Sequence, residues 1–95
     1  MILKNIRALR IKRCETILDM AERLNMRITV LSAIENGKIK IPDNFLENLF
    51  GIYNFTSKEK DDFITKELLI NDEEKRKFIN MKKWYKYSEV EDEGI

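Results

Sequence analysis

Short runs of apolar residues at helical spacing, each bounded by a capping or stopping residue, constrain the fold of this chain more than any other feature. The first run, Ile2, Leu3, Ile6 and Leu9, predicts a helix over residues 2–13. Three Gly and one Pro are few for 95 residues, because β-rich folds of this size usually need more turn residues. The chain is therefore expected to be all-α.

Two short helices follow in close succession. Thr16 is a good N-cap for a helix over 17–24, which Asn25 is expected to end because Asn tolerates the left-handed conformation. A third helix over 28–36 is expected to stop at Asn36-Gly37 in the same way. Residues 25–27 alone connect the second and third helices. A connection this short is typical of a helix-turn-helix, whose second helix is free to lie in a major groove of DNA. The expected inner positions of the second helix are Leu18, Met20, Ala21 and Leu24.

Three further helices are predicted. Pro42-Asp43 opens the fourth, a capping box of Thr56 and Glu59 opens the fifth, and a sixth begins at Glu73 and ends near residue 86. The expected inner positions of the fifth helix are Phe63, Ile64, Leu68 and Leu69. The expected organisation has three parts: a compact five-helix domain over 1–70, an additional C-terminal helix over 71–87, and an acidic, disordered tail over 88–95.

The net charge of +1 conceals an asymmetry along the chain. Residues 1–42 contain nine basic and four acidic side chains, whereas residues 43–95 contain nine basic and thirteen acidic ones. A basic segment beside an acidic one suggests a surface that faces a polyanion. A chance distribution in a chain rich in Lys and Glu is the alternative.

The sequence contains no catalytic constellation. It has no His, which excludes His-based triads, and its single Cys, Cys14, excludes an internal disulfide and a multi-Cys zinc site. Adjacent carboxylates such as Asp61-Asp62 point apart on a helix, and there is no Gly-rich phosphate loop. We expect no enzyme activity, no cofactor and no metal. No apolar run approaches the roughly 20 residues that span a bilayer, so a cytoplasmic protein without membrane contact is expected.

The second and third helices carry a more specific pattern. Residues 16–26, TILDMAERLNM, and 31–38, LSAIENGK, resemble the helix-turn-helix domain of the phage repressor, Cro and Xre family. The resemblance covers about residues 3–69, and the segment from Ile34 to Lys38 is its most specific part. It implies a repressor-like helix-turn-helix fold and a sequence-specific DNA-binding transcriptional regulator, most often a dimeric repressor of phage or mobile-element type.

The resemblance also implies roles for individual residues. Arg10 and Glu35 stand where the family has a structural ion pair, and Cys14 stands where it often has Gly. The base-contacting positions correspond to Ile28, Thr29, Ser32 and Ala33. None of these side chains can make the bidentate contact by which Arg recognises guanine. The phosphate-contacting positions correspond to Ile17, where the family favours Gln, and to Arg27, Lys38 and Lys40.

The implied partners are double-stranded DNA and a second copy of the chain. The predicted dimer contact is one side of the last helix, although this side can instead fold onto the bundle; it comprises Phe78, Met81, Trp84 and Tyr85. The alternative function is a protein-binding module, an antitoxin or antirepressor. Such a module would dock a protein partner through an apolar surface that includes Ile17 and Ile28.

Overall fold

A computed structural model of the protein describes residues 2–82, which form six helices and no strand. The helices are α1 (Ile2–Lys12), α2 (Ile17–Arg23), α3 (Ile28–Glu35), α4 (Phe45–Ile52), α5 (Ser57–Thr65) and α6 (Asp72–Lys82). The radius of gyration, 12.8 Å, is close to the ~12 Å of a compact chain of this length. The predicted all-α class is confirmed. No helix in residues 2–82 is long and apolar enough to cross a membrane.

Each of the first four helices ends in a left-handed residue. These residues have φ between 53° and 71°, and they are Cys14, Asn25, Gly37 and Asn54. After α3, the Gly37 N–H bonds to the Ile34 carbonyl at 3.1 Å, and the Lys38 N–H bonds to the Ala33 carbonyl at 2.9 Å. This is the Schellman arrangement, which satisfies carbonyls that the helix end would leave unpaired.

One detail of the α3 stop differs from the prediction. Asn36 has φ −91°, so Gly37 alone adopts the left-handed conformation there. An added Cβ at Gly37 would also come within 3.3 Å of Leu3 Cδ1, which makes glycine the residue that fits both the backbone and the space.

Capping boxes set the beginnings of three helices. The predicted boxes at Thr16–Asp19 and Thr56–Glu59 are confirmed, each with both reciprocal hydrogen bonds. A third box joins Asn71 and Glu74, in which the Glu74 N–H donates to Asn71 Oδ1 at 2.8 Å and the Asn71 N–H donates to Glu74 Oε1 at 3.0 Å. Because Asn71 is this N-cap, α6 begins at Asp72, one residue before the predicted start.

The core is built from all of the first five helices, and each fully buried large apolar side chain contributes about 1.5–3 kcal/mol. Its central side chains are Ile6, Leu9, Ile17, Met20, Leu31, Ile34, Leu49, Phe50 and Phe63. The prediction for α2 was wrong by one position, since Ile17 is buried and Leu18 is 41% exposed. Ile17, Met20, Ala21 and Leu24 make the inward stripe instead.

The predicted inner positions of α5 are confirmed for Phe63, which is buried, and for Leu68, which packs half-buried against the core, but they are wrong for Ile64 and Leu69. Ile64 lies within α5 but is 45% exposed, whereas Leu69 is 74% exposed because α5 ends at Thr65 and the following chain is not helical. The end of α5 is held by Asn5, a fully buried side chain of α1. Asn5 Nδ2 donates to the carbonyls of Phe63 (2.7 Å) and Lys66 (2.6 Å), and Asn5 Oδ1 accepts the Leu68 N–H at 2.8 Å. These bonds replace the next helical turn, so that Leu68 is half-buried while its neighbour faces solvent.

α6 packs along α1. Phe78 is 3% exposed, and Lys12 Nζ binds both carboxylate oxygens of Glu74 at 3.1 and 3.2 Å. The residues predicted to continue this helix, including Trp84 and Tyr85, and the predicted disordered tail 88–95 lie outside the described residues.

Candidate nucleic-acid interface

The surface around α3 is positioned by its packing on α1 and α2. Leu31 and Ile34 are fully buried, and Ala21 of α2 is buried as well. The Met26 N–H bonds to the Ala21 carbonyl at 2.9 Å, which closes the turn between α2 and α3. Because one stripe of α3 is fixed in the core, its opposite side is held towards solvent.

The four predicted base-contacting positions lie on α3, and they differ in accessibility. Thr29 is exposed, whereas Ile28, Ser32 and Ala33 are half-buried. Ile28 packs partly against the core. Asn36 Nδ2 donates to the Ser32 carbonyl at 2.9 Å and to Ser32 Oγ at 3.3 Å, so the hydroxyl keeps its own proton to donate. This side of α3 offers a methyl surface and single hydrogen bonds.

Basic side chains stand at both ends of α3. Arg27 is the N-cap residue, with φ −73° and ψ 141°, and within the described chain its side chain makes no capping hydrogen bond. Lys38 and Lys40 follow the C-terminus, and all three side chains are exposed. None of the three has an ion-pair partner in residues 2–82. Their charges are therefore free to meet an anion from outside the molecule.

Ile17 does not belong to this surface. Its side chain is 1% exposed and lies in the core cluster with Met20. The expectations that its side chain marks a phosphate contact, or forms part of an exposed apolar docking surface, are both corrected by this burial. The helical spacing to Met20, Ala21 and Leu24 explains why an isoleucine stands there.

Arg10 and Glu35 connect α1 to the end of α3. Arg10 Nε and Nη2 donate to the two carboxylate oxygens of Glu35 at 2.8 and 3.0 Å, with both side chains almost fully buried. Arg10 Nη1 also donates to the Glu15 carbonyl at 3.2 Å. The bidentate geometry fixes the α1–α2 connection and α3 relative to one another.

A second polar cluster, around Tyr53, has no counterpart among the sequence predictions. Tyr53 Oη donates to Glu15 Oε1 at 2.6 Å, and Arg23 Nε lies 3.1 Å from Glu15 Oε2. The guanidinium carbons of Arg13 and Arg23 lie 5.4 and 5.6 Å from the Tyr53 ring centroid. Burial, together with the hydrogen bond to the Glu15 carboxylate, raises the pKa of the Tyr53 hydroxyl well above its usual range.

The predicted dimer contact is changed by the position of Phe78. This side chain is buried against its own chain and is therefore unable to contact a second copy. Met81 is half-buried, and the other two predicted residues, Trp84 and Tyr85, lie outside the described residues. The alternative, in which this side of the helix folds onto the bundle, holds for Phe78.

Within residues 2–82, no group of three or more acidic or Cys side chains is arranged to hold a metal ion. Comparisons with protein families, with curated proteins and with solved structures find no match to this chain.

Proposed function

We propose that this protein is a DNA-binding transcriptional regulator of the phage repressor, Cro and Xre type, in which α2 and α3 act as a helix-turn-helix. In this proposal α3 enters the major groove, and two copies of the chain occupy paired half-sites. Bound in this way over a promoter, the dimer represses transcription by blocking polymerase.

The placement of Arg27, Lys38 and Lys40 is the observation that carries the proposal. An eight-residue helix is about 12 Å long, and the major groove is about 12 Å wide. With exposed cations at both of its ends, α3 can lie between the two sugar–phosphate backbones with a positive charge towards each. The basic balance of residues 1–42 favours the same partner.

The chemistry of α3 limits how the protein recognises sequence. Ile28 and Ala33 can contact thymine methyl groups, and Thr29 and Ser32 can make single hydrogen bonds to base edges. Bidentate recognition of guanine or adenine needs Arg, Asn or Gln at these positions. The protein should therefore favour AT-containing sites, discriminate modestly, and derive most of its affinity from phosphate contacts.

The second candidate function is a protein-binding module, an antitoxin or antirepressor. With Ile17 buried, the apolar side chains on and beside α2 and α3 that such a partner could contact include the half-buried Ile28, the exposed Leu18 of α2 and the exposed Ile39 after α3. Unpaired cations at both ends of α3 match the two phosphate backbones that border a major groove more directly than they match an apolar docking surface. DNA is therefore the better supported partner.

Selection of binding sites from a random duplex pool tests the proposal. A palindromic, AT-leaning site with half-sites about one helical turn apart is the expected result. Binding without any enriched sequence would mean phosphate contact without base recognition. Failure to bind duplex DNA at low salt would overturn the proposal and favour the protein partner.

A further inference from the structure

A cavity of about 270 Å³ lies between α1 and α5. Its apolar wall consists of Leu9, Phe55, Phe63 and Leu68, of which Leu9 and Phe63 are buried core residues. The rings of Phe55 and Phe63 meet edge to face with their centroids 5.4 Å apart, and Phe55 also lies 4.9 Å from Phe50. These contacts fix the aromatic part of the wall, so the cavity is preformed.

The rim of the cavity carries opposite charges on its two sides. Lys12 and Arg13 belong to the α1 side, and Glu59 and Asp62 belong to α5. The Lys12 ammonium group is already neutralised by Glu74. Arg13 donates one N–H to the Tyr53 carbonyl at 3.3 Å and has no carboxylate partner within the described residues. Its guanidinium group also lies over the Tyr53 ring, with Cζ 5.4 Å from the ring centroid, so it is the cation on this side whose charge no carboxylate neutralises.

On the α5 side, the Glu59 carboxylate likewise has no oppositely charged partner. One of its oxygens accepts the Thr56 N–H at 2.8 Å, and it forms no ion pair in residues 2–82. Asp62 shares its charge with the exposed Lys66 through a 3.3 Å contact. The lining thus contributes an uncompensated cation from the end of α1 and an uncompensated carboxylate from α5, beside an apolar wall.

We infer that this cavity binds a small zwitterion with an apolar body, of the class of free apolar α-amino acids. The carboxylate of the ligand meets the Arg13 guanidinium, which still has several N–H groups to donate, and its ammonium group meets Glu59 with Asp62 beside it. The apolar body packs on Phe55, Phe63 and Leu68. A cavity slightly below the roughly 300–1,000 Å³ of drug-sized sites suits a molecule of this size. This inference does not depend on DNA binding.

Amide chemical shifts measured by NMR during a titration with L-phenylalanine test the inference on the full chain. At about 10 mM ligand, ten times a Kd of about 1 mM, shifts should saturate and be confined to the lining residues Leu9, Arg13, Phe55 and Phe63. 2-Phenylethylamine and 3-phenylpropionate each lack one of the two charges, and each should bind about tenfold more weakly, the loss expected from about 1.4 kcal/mol.

Variants identify which side chain recognises which charge. Arg13→Gln should weaken L-phenylalanine binding about tenfold and leave 2-phenylethylamine binding unchanged, because only the amino acid carries a carboxylate. Arg76→Gln is the matched control, since Arg76 is an exposed arginine of α6 that does not line the cavity and forms no ion pair in residues 2–82. Shifts outside the cavity, no saturation at about 10 mM, or equal affinity for all three compounds would each overturn the inference.

Discussion

The Arg10 guanidinium and the Glu35 carboxylate form a buried bidentate ion pair that joins α1 to the end of α3, with N···O distances of 2.8 and 3.0 Å. A buried charge that loses its partner is costly, because no water replaces the lost interaction. The pair therefore controls the position of the candidate DNA-contacting helix as well as the stability of the fold.

Glu35→Ala should lower the free energy of unfolding by about 3–5 kcal/mol, because it leaves the Arg10 charge buried without its carboxylate partner. The double variant Arg10→Met with Glu35→Leu should lose less than the single variant, since it removes both charges. Urea unfolding measures both. Unchanged stability in Glu35→Ala would contradict a structural role for the pair.

Gly37 and Gly51 should respond to alanine in opposite directions. Gly37→Ala places a Cβ on a residue with φ +71° and within 3.3 Å of Leu3 Cδ1, so it should destabilise by about 1–2 kcal/mol. Gly51 lies within α4, and a Cβ there meets nothing within 4 Å, so Gly51→Ala should stabilise by about 0.5–1 kcal/mol. Thermal unfolding of the two variants tests this prediction. Equal changes of the same sign in the melting temperature would be inconsistent with these backbone conformations.

Asn5→Ala should destabilise by about 3 kcal/mol, because three short hydrogen bonds to the end of α5 are lost and buried backbone groups are left without partners. Asn48→Ala, at an exposed position of α4, is the matched control and should change stability by less than about 0.5 kcal/mol. Hydrogen exchange of the amides around residues 63–68 should accelerate in the first variant only. Protection that stays unchanged there would show that Asn5 does not hold this segment.

Tyr53 should make stability fall at alkaline pH. Burial and the Glu15 carboxylate raise the pKa of the Tyr53 hydroxyl in the folded state. Its contribution to the free energy of unfolding is therefore complete below the unfolded pKa of about 10 and is lost as pH rises above that value. Tyr53→Phe should cost about 1–2 kcal/mol at neutral pH and show a weaker decline between about pH 9 and 11. Urea unfolding at several pH values measures this difference. An identical decline of stability with pH in the two proteins would mean that the Tyr53 hydroxyl ionises as easily in the folded state as in the unfolded state.

Signals within one helical turn allowed most of the helices to be predicted. The Thr16–Asp19 and Thr56–Glu59 boxes, and the left-handed stops at Asn25 and Gly37, depend on bonds between residues at most five apart, so their chemistry is visible locally. The burial of Ile17 could also have been predicted from the sequence, because its spacing to Met20, Ala21 and Leu24 fits a helical stripe better than that of Leu18.

The structural features that the sequence did not predict depend on contacts between residues far apart in the chain. Asn5 bonds to Phe63, 58 residues away, and the only local sign of this role is a polar residue on the apolar side of α1. Helical spacing predicts the apolar side of α6 but not what covers it, so the sequence does not distinguish a dimer contact of Phe78 from packing on its own bundle. Leu69 is exposed because Asn5 holds the chain after α5 in a non-helical conformation. The spacing of apolar residues in the sequence gives no sign of this conformation.

A salt titration of duplex DNA binding tests the proposed function most directly, because it counts the phosphates that the protein neutralises. The double variant Lys38→Ala with Lys40→Ala should reduce the slope of log affinity against log salt by about 1.8, or about 0.9 for each lost contact. The matched control is Lys58→Ala with Lys60→Ala, which removes two exposed lysines of α5 and should leave the slope unchanged. Equal slopes for the two double variants would contradict the proposal that α3 and its flanking cations form the DNA-binding surface.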